Sequence, residues 1–490
     1  MREFKKVKGF LLAIILFISC SVSTTAKELA KEQSVQKPNI IFVLIDDMAW
    51  ADVGYNGGAG GFYETPNIDK IADEGVVFNR FYPGGPNCAP TRACILSGMY
   101  TPRTKIYTPG AEAKGNPADM RLYVPARERK NDEDALDSRK SIDASVTSIA
   151  EVLNPAGYVT SMVGKWHIGN DKQGFDEWTA DGVNPSTKKS YYKDPLATDR
   201  MAKAACEFIE RNQEKPFFLY FAPWDVHSPL IAKEEVVAKY EKKWANWPDK
   251  TRKWSPTYAA MIDVMDNSVG QLREKLKELG LDENTMFMVV SDNGGPAGHT
   301  SNEPLKGAKG ALYEGGIRTL GTAVWPGHIK AGTKNDYPIT GVDMMPTFAE
   351  LAGAKLPSTQ PVDGQSFVKL LENNGGMPER SIFWHYPLYM DGSDNSKGWP
   401  SNKVLPIYGT DIMNWRAVPA SAIMKGDWKL IYFYEYEKYE LYNLATDISE
   451  ENDLSKSNPD KAKELYGELM KWVKDTDAEI PTKLNPDFAH

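Results

Sequence analysis

Two acids stand side by side in "IIFVLIDDMAW", where Asp46 and Asp47 follow the apolar run Ile40 to Ile45. A second run, "TMFMVVSDNGG", ends the same way on Asp292 and Asn293, and Gly294-Gly295 then lets the backbone turn sharply. Apolar, β-branched runs of this length read as strands buried on both faces of a parallel sheet. The C-terminal edge of such a sheet is where ligands bind. One Asp-Asp pair alone reads as a capped, solvated loop. Two strands delivering carboxylates and an amide to one edge make a metal site, and an all-oxygen donor set suits Ca²⁺ or Mg²⁺ rather than zinc.

Cations and imidazoles occupy comparable loops. "GKWHIG" holds Lys165 and His167, which in an extended segment face the same side and can reach one anion. "WDVHSP" places His227 after another apolar strand, and "LKGAKGALYEGG" places Lys306 and Lys309 in a glycine-rich loop. A lone histidine is usually structural and a lone lysine solvated, but the chain has only 6 histidines and two of them fall in strand-end loops. The chain has 4 cysteines, of which two lie in "PGGPNCAPTRACILSG". Cys88, just before a helix, has the setting of a thiolate nucleophile. A cysteine-phosphatase loop would need arginine at the position that Cys94 fills, whereas the arginine here is Arg92. No local histidine makes a Cys-His pair, so these residues leave the role of Cys88 open.

The elements that must position these groups follow from pattern. "TPNIDKIADEG" reads as a helix, with proline in its first turn and glycine at its end. "SIDASVTSIAEVLNPAGY" is predicted as another, with Ile142, Val146, Ile149 and Leu153 on one stripe. "VTSMVGKW" and "PFFLYFAPW" are further strands, and a long helix is expected over 258–279. Strands alternating with helices predict an α/β sandwich, a large mostly parallel sheet between helices. Beyond "LENNGGMPER" the texture changes to short aromatic strands and a final helix around "KAKELYGELMKWVKD". This predicts a small C-terminal antiparallel sheet with one packed helix. The expected division is 38–370 for a catalytic domain and 371–490 for a smaller α+β domain.

Arg2, Lys5, Lys6 and Lys8 precede the apolar run Phe10 to Ile18, which suits a signal peptide, 1–26, and is too short to span a bilayer. Two processing routes are readable: "FISC", with a lipid anchor on Cys20, and cleavage after Ala26 in "TTAKE". The expected location is therefore periplasmic, cell-surface or secreted, and no later run is a candidate transmembrane helix. Cys88, Cys94 and Cys206 are too few for a disulfide framework, and Cys206 reads as a buried apolar residue. A formal net charge of -8 disfavours nucleic-acid partners but leaves room for a small anion held by local cations.

With these residues in view, "CAPTRACILSG" resembles the Cys-x-Pro-Ser/Thr-Arg signature of the formylglycine-dependent (type I) sulfatases of the alkaline-phosphatase-like superfamily. Thr91 stands where serine is commoner. "PNIIFVLIDDMAW", "TPNIDKIADEGVVF", "AGYVTSMVGKWHIG", "FAPWDVHSP", "VVSDNGG" and "KGAKGALYEGGIR" resemble the family's other blocks in the same order, as does the C-terminal "MKGDWKLIYF…ELYNLATDISEENDL". The resemblance implies an alkaline-phosphatase-like fold and a sulfuric ester hydrolase. It implies that a maturation enzyme converts Cys88 to formylglycine, whose hydrated form attacks sulfur and gives a covalent sulfo-enzyme intermediate. Asp46, Asp47, Asp292 and Asn293 match ligands of one Ca²⁺ ion, with Mg²⁺ as the alternative, and the ion also contacts residue 88. Arg92 matches the residue that holds the diol. Lys165, His227 and Lys309 match the sulfate-binding cations, and His167 matches the group that helps expel sulfate. Protonation of the leaving group falls to Lys309 or His227. Such fixed cations can stabilise charge that grows in the transition state.

Two alternatives stay open at this point. One is a phosphomonoester or phosphonate hydrolase of the same superfamily, although phosphatases of that group use two zinc ions and several histidines. The other is a non-catalytic surface protein that binds sulfated glycans. For substrate, the charged insertion from Tyr107 and the aromatic "FWHYPLY", with His385, are candidate walls of a sugar-binding cleft. An exported enzyme of this kind would act on a sulfated polysaccharide or oligosaccharide, either an algal glycan or a glycosaminoglycan.

Overall fold

The computed structural model describes residues 37–126, 135–179, 194–250, 254–372, 376–391 and 415–488. The predicted signal segment and Cys20 lie outside the described residues, as does part of the insertion after Tyr107. Among the described residues the main sheet has 8 strands. They are β1 Asn39–Ile45, β2 Val76–Phe78, β3 Val159–Gly164, β4 Glu177–Thr179, β5 Phe217–Ala222, β6 Thr285–Ser291, β7 Gly321–Val324 and β8 Thr333–Asn335. Their order across the sheet is β4-β3-β5-β1-β6-β7-β2-β8. Neighbours are parallel, except that β7 runs against both β6 and β2.

The central strand β1 explains the continuous apolar run. Ile40, Phe42 and Leu44 point to one face, Ile41, Val43 and Ile45 to the other, and all are buried. Helices α1 Pro66–Glu74, α2 Cys88–Ser97, α3 Ile149–Leu153, α4 Ala197–Arg211, α5 Pro256–Glu278 and α6 Met344–Ala352 cover the two faces. Ala93, Leu153 and Phe348 from α2, α3 and α6 fill one core. Ile71, Phe208 and Leu272 from α1, α4 and α5 fill the other. Helix on sheet on helix is the predicted sandwich.

One predicted helix is much shorter than expected. The chain becomes helical only at Ile149, because Ser148 caps it: the Ser148 hydroxyl accepts from the Glu151 amide at 3.2 Å and the Glu151 carboxylate accepts from the Ser148 amide at 2.8 Å. Ile142 is buried in the same core from irregular chain, its amide donating to the Ile168 carbonyl at 3.1 Å. The helical spacing of apolar residues there reflects a shared core, not a continuous helix.

The second sheet is antiparallel: β9 Ser381–Tyr386, β10 Ala420–Lys425, β11 Trp428–Phe433 and β12 Lys438–Asn443, in that order. Helix α7 Pro459–Asp475 covers one face, packing Leu465 and Leu469 on Ile423, Leu430 and Leu441. The opposite face, with Ile382, Trp384 and Ile431, shares a core with Tyr82, Tyr107 and Tyr313 of the first part of the chain. Among the described residues no helix is long and apolar enough to cross a membrane.

Candidate active site

Register brings the acids together. Strands β1 and β6 pair in parallel with Ile45 opposite Ser291, so Asp46-Asp47 and Asp292-Asn293 leave the sheet side by side. The Asp292 amide donates to the Ile45 carbonyl at 3.0 Å and the Asp47 amide to Asp292 Oδ1 at 3.2 Å. Asp47 adopts a left-handed φ of 69°, which turns the chain sharply after β1. Asn293 Nδ2 donates to Asp47 Oδ1 at 2.7 Å. The loop after β5 is tied to the same point, since the Val226 amide donates to the Asp46 carbonyl at 2.9 Å, which places His227 beside the acids.

The cations converge on these carboxylates. Arg92 is fully buried, with Nη2 2.8 Å from Asp292 Oδ2 and 3.9 Å from Asp46 Oδ2. Its Nη1 donates to the Lys165 carbonyl at 2.5 Å. Lys165 Nζ bonds Asp46, and Lys309 Nζ bonds Asp47. His227 Nε2 stands 3.6 Å from Asp47 Oδ2, and its Nδ1 is 2.6 Å from the Ser228 carbonyl. A carbonyl only accepts, so Nδ1 carries the proton and Nε2 is left to face the site.

Cys88 is the first residue of α2 and is buried. The loop before it folds onto the helix, which is why it needs glycine. A Cβ on Gly84 would stand 2.5 Å from Cys94 Cβ, and one on Gly85 2.9 Å from Pro90 Cβ. Thr91 Oγ1 closes the loop by donating to the Gly85 carbonyl at 2.9 Å, a bond either serine or threonine can make. The Lys309 loop is fixed above, through Lys309 N to the Gly295 carbonyl at 3.1 Å and Gly310 N to the Pro86 carbonyl at 2.9 Å. Arg92, Lys165 and Lys309 all lie within electrostatic reach of Cys88.

Burial resists ionisation of Asp46 and Asp47. The surrounding cations, chiefly Lys165 for Asp46 and Lys309 for Asp47, overcome it and hold both carboxyls below the usual range. Asp292 goes the other way, because burial and the Asp46 charge outweigh Arg92 and push its carboxyl well up. Burial also lowers the Lys165 and Lys309 ammonium groups, but Asp46 and Asp47 respectively outweigh it and raise both. His167 is pushed down to about 3, first by burial and then by Lys165 and Arg92, so its imidazole is neutral. His167 reaches this cluster otherwise than predicted: β3 ends at Gly164 and His167 has a φ of 66°, so the segment is turned rather than extended.

The donor set fits a hard cation. Among the described residues no hydrogen-bond donor meets the buried acceptors Asp46 Oδ1 and Asn293 Oδ1. Asp46, Asp47 and His227 each offer a ligand atom within 4.8 Å of the others. Buried oxygens left without donors are costly unless something positive meets them.

His385 is corrected. It is 1 % exposed, with Nδ1 2.7 Å from Ser421 Oγ and Nε2 2.9 Å from the Glu479 carbonyl, so neither nitrogen is left to touch a sugar. Trp384, Tyr386 and Tyr389 of the same segment are buried too, as core rather than cleft. Cys94 is buried, and Cys206 is half-buried rather than buried, its Sγ 3.8 Å from the Gln271 carbonyl. Sequence reasoning missed Trp224, whose ring lies 5.2 Å from Lys165 Nζ. It also missed the support under Asp47, where Asp52 accepts from Tyr258 Oη at 2.7 Å and Thr300 Oγ1 at 2.6 Å while Tyr258 reaches the Asp47 carbonyl at 3.3 Å. No spacing in the chain announces contacts between such distant residues.

Residues 38–354 match the family model described as Sulfatase. A protein named "Sulfatase" from Formosa agariphila is 28% identical, over 96% of this chain and 94% of its own. Human N-acetylgalactosamine-6-sulfatase is 31% identical over 71% of this chain and 68% of its own. The solved structure of Ps i-CgsB in complex with k-i-k-neocarrahexaose superposes with a TM-score of 0.69 at 29% identity, covering 92% of this chain and 95% of that one.

Proposed function

Because the chain belongs to the sulfatase family and is a sulfuric ester hydrolase, we propose that it removes sulfate from a sulfated polysaccharide or its oligosaccharides, at the site built around Cys88. The observation that carries this is the convergence of Arg92, Lys165, His227 and Lys309 with Asp46, Asp47, Asp292 and Asn293 around one helix N-terminus. A relative that binds a neocarrahexaose and one named for a sulfated amino sugar support a carbohydrate leaving group, an algal glycan or a glycosaminoglycan. The cationic and apolar N-terminal run, Arg2 to Ile18, supports export, with a lipid anchor on Cys20 as one outcome. Segments 38–370 and 371–490 divide the labour, the first carrying the sulfate site and the second buttressing it.

Lys165 and Lys309, with His227, hold the sulfate oxygens and meet the negative charge that grows on them as the S–O bond to the sugar breaks. Arg92, buried and anchored on Asp292, orients the nucleophilic oxygen of residue 88. His167 takes the proton whose removal releases sulfate, and the negative charge of the bound sulfate must offset the burial, Lys165 and Arg92 that otherwise disfavour its protonated form. Lys309 or His227 donates a proton to the departing sugar oxygen. Asp46, Asp47, Asp292 and Asn293 would hold Ca²⁺ or Mg²⁺, which supplies positive charge to a sulfate oxygen when bound. Cys88, matured to formylglycine by a maturation enzyme, would supply a hydrated aldehyde, with one hydroxyl to attack and a second to let sulfate go.

Mass spectrometry of the Cys88 peptide from the native host tests the maturation, and a peptide found wholly as cysteine removes the mechanism. Matched aryl sulfate and aryl phosphate esters test the reaction, with the sulfate ester expected to be cleaved faster. A panel of defined sulfated oligosaccharides identifies the sugar.

A further inference from the structure

We infer that Lys306 and Lys429 are positioning residues, through which the C-terminal sheet sets the place of Lys309. The inference rests on reading Lys309 as a sulfate-binding cation. Lys309 sits on a closed loop whose two ends meet, the Gly315 amide donating to the Lys306 carbonyl at 2.7 Å. Gly315 must be glycine there, since a Cβ would stand 2.4 Å from the Gly307 carbonyl oxygen. Both ends of the loop are gripped by residues of the C-terminal sheet and the turn after it.

At one end, Lys306 Nζ donates to the Glu450 carbonyl at 3.1 Å and to Tyr442 Oη at 3.3 Å, and lies 4.2 Å from the Tyr313 ring. At the other end, Glu314 Oε1 is 2.8 Å from Lys429 Nζ, while Glu314 Oε2 accepts from Tyr82 Oη at 2.9 Å. Lys429 also pairs with Glu450 at 2.8 Å, and Glu450 Oε2 accepts from the Glu314 amide at 2.7 Å. Tyr313 and Tyr442 converge on Glu440, at 2.7 and 2.6 Å. Lys429, Glu314 and Glu450 are fully buried.

A buried charge network is an expensive way to join two surfaces, since apolar residues of similar volume hold a contact as well. What charges add is geometry, because each fixes its partner by direction as well as distance. The loop tip is what such fixing serves: it carries Lys309 and, through Gly310, the tie to Pro86 beside Cys88. Lys306 Nζ is spent on Tyr442 and Glu450 and Lys429 Nζ on Glu314 and Glu450, so both act through the loop.

The test uses the full-length matured enzyme and four variants: Lys306→Met, Lys429→Met, Lys429→Arg and Lys309→Met. For each, the melting temperature, formylglycine content, kcat and KM on an aryl sulfate, and the inhibition constant of inorganic sulfate are measured. Lys306→Met, at a partly buried position outside the fully buried charge cluster, is expected to weaken sulfate inhibition and raise KM about tenfold with unchanged formylglycine content. Lys429→Met should do the same or fail to fold, and Lys429→Arg should recover part of the sulfate affinity. If Lys309→Met weakens sulfate binding but Lys306→Met leaves the inhibition constant and KM at wild-type values, the inference is overturned. If Lys309→Met itself leaves sulfate binding intact, it is the reading of Lys309 that fails.

Discussion

Asp46 and Asn293 each bury an oxygen that no donor among the described residues meets, so a bound cation should stabilise the fold as well as serve the reaction. Saturating Ca²⁺ is expected to raise the melting temperature of chelator-treated protein, by the equivalent of about 3 kcal/mol at a hundredfold excess over Kd. Asp46→Asn should shrink that rise, and a variant that keeps it whole would move the ion elsewhere. Arg92 is a sterner case. Arg92→Met leaves Asp292 and Asp46 buried without their guanidinium, and should cost about 3–5 kcal/mol in denaturant melts together with activity. His385 gives the opposite contrast. Its imidazole is pushed down to about 4, mainly by burial. The unfolded chain therefore binds the extra proton between about pH 6.5 and 4, and stability falls as pH drops through that window, by at most about 3 kcal/mol. His385→Gln should flatten the acid side of a stability-against-pH curve while kcat/KM at pH 7 stays near wild type. A large kcat/KM loss in a folded variant would return His385 to the substrate.

At the scale of elements, what could be read from sequence depended on how local the cause was. Strands β1 and β6 were legible because each is buried on both faces, and their terminal acids were legible because a strand end is a fixed place. The helix through Ile142 was misread because Ser148 caps a later start, and apolar spacing does not distinguish a helix from loop residues sharing its core. His167 was expected on an extended segment, yet the backbone turns there. The aromatic "FWHYPLY" looked like a sugar surface because aromatic residues serve cores and cleft walls alike. Lys429 could not be assigned at all, since its partners Glu314 and Glu450 come from other elements. The glycine pair of "SDNGG" was read as a turn, but its stricter constraint is proximity. A Cβ on Gly294 would stand 1.8 Å from the Gly315 carbonyl oxygen, so Gly294→Ala must push the Lys309 loop away from the acids. The expected result is a folded or weakly destabilised protein with kcat/KM down at least about a hundredfold. Wild-type kinetics in that variant would mean that the two loops need not touch.

Taken as a molecule, the chain puts its chemistry in one sheet and its rigidity partly in another. The inner face of the C-terminal sheet shares its core with the first part of the chain, where Ile382, Trp384 and Ile431 cluster with Tyr82, Tyr107 and Tyr313. Trp384 also donates from Nε1 to the Pro83 carbonyl at 2.8 Å, at the start of the loop that leads to Cys88. Removing that sheet would expose apolar surface on the remainder and release both the Pro83 loop and the Lys309 loop. Burial of such aromatic side chains stabilises by about 1.5–3 kcal/mol each, so losing several exceeds much of the net stability of an ordinary domain. A chain ending at residue 372 should therefore show no cooperative thermal transition and should bind a hydrophobic dye. Co-expression with the missing segment, 373–490, should restore a transition if the shared core is what was lost. A truncated chain that melts cooperatively and still cleaves an aryl sulfate would show that the sulfate site needs no support from the C-terminal sheet. The grip on Lys306 and Glu314 would then be stabilising alone.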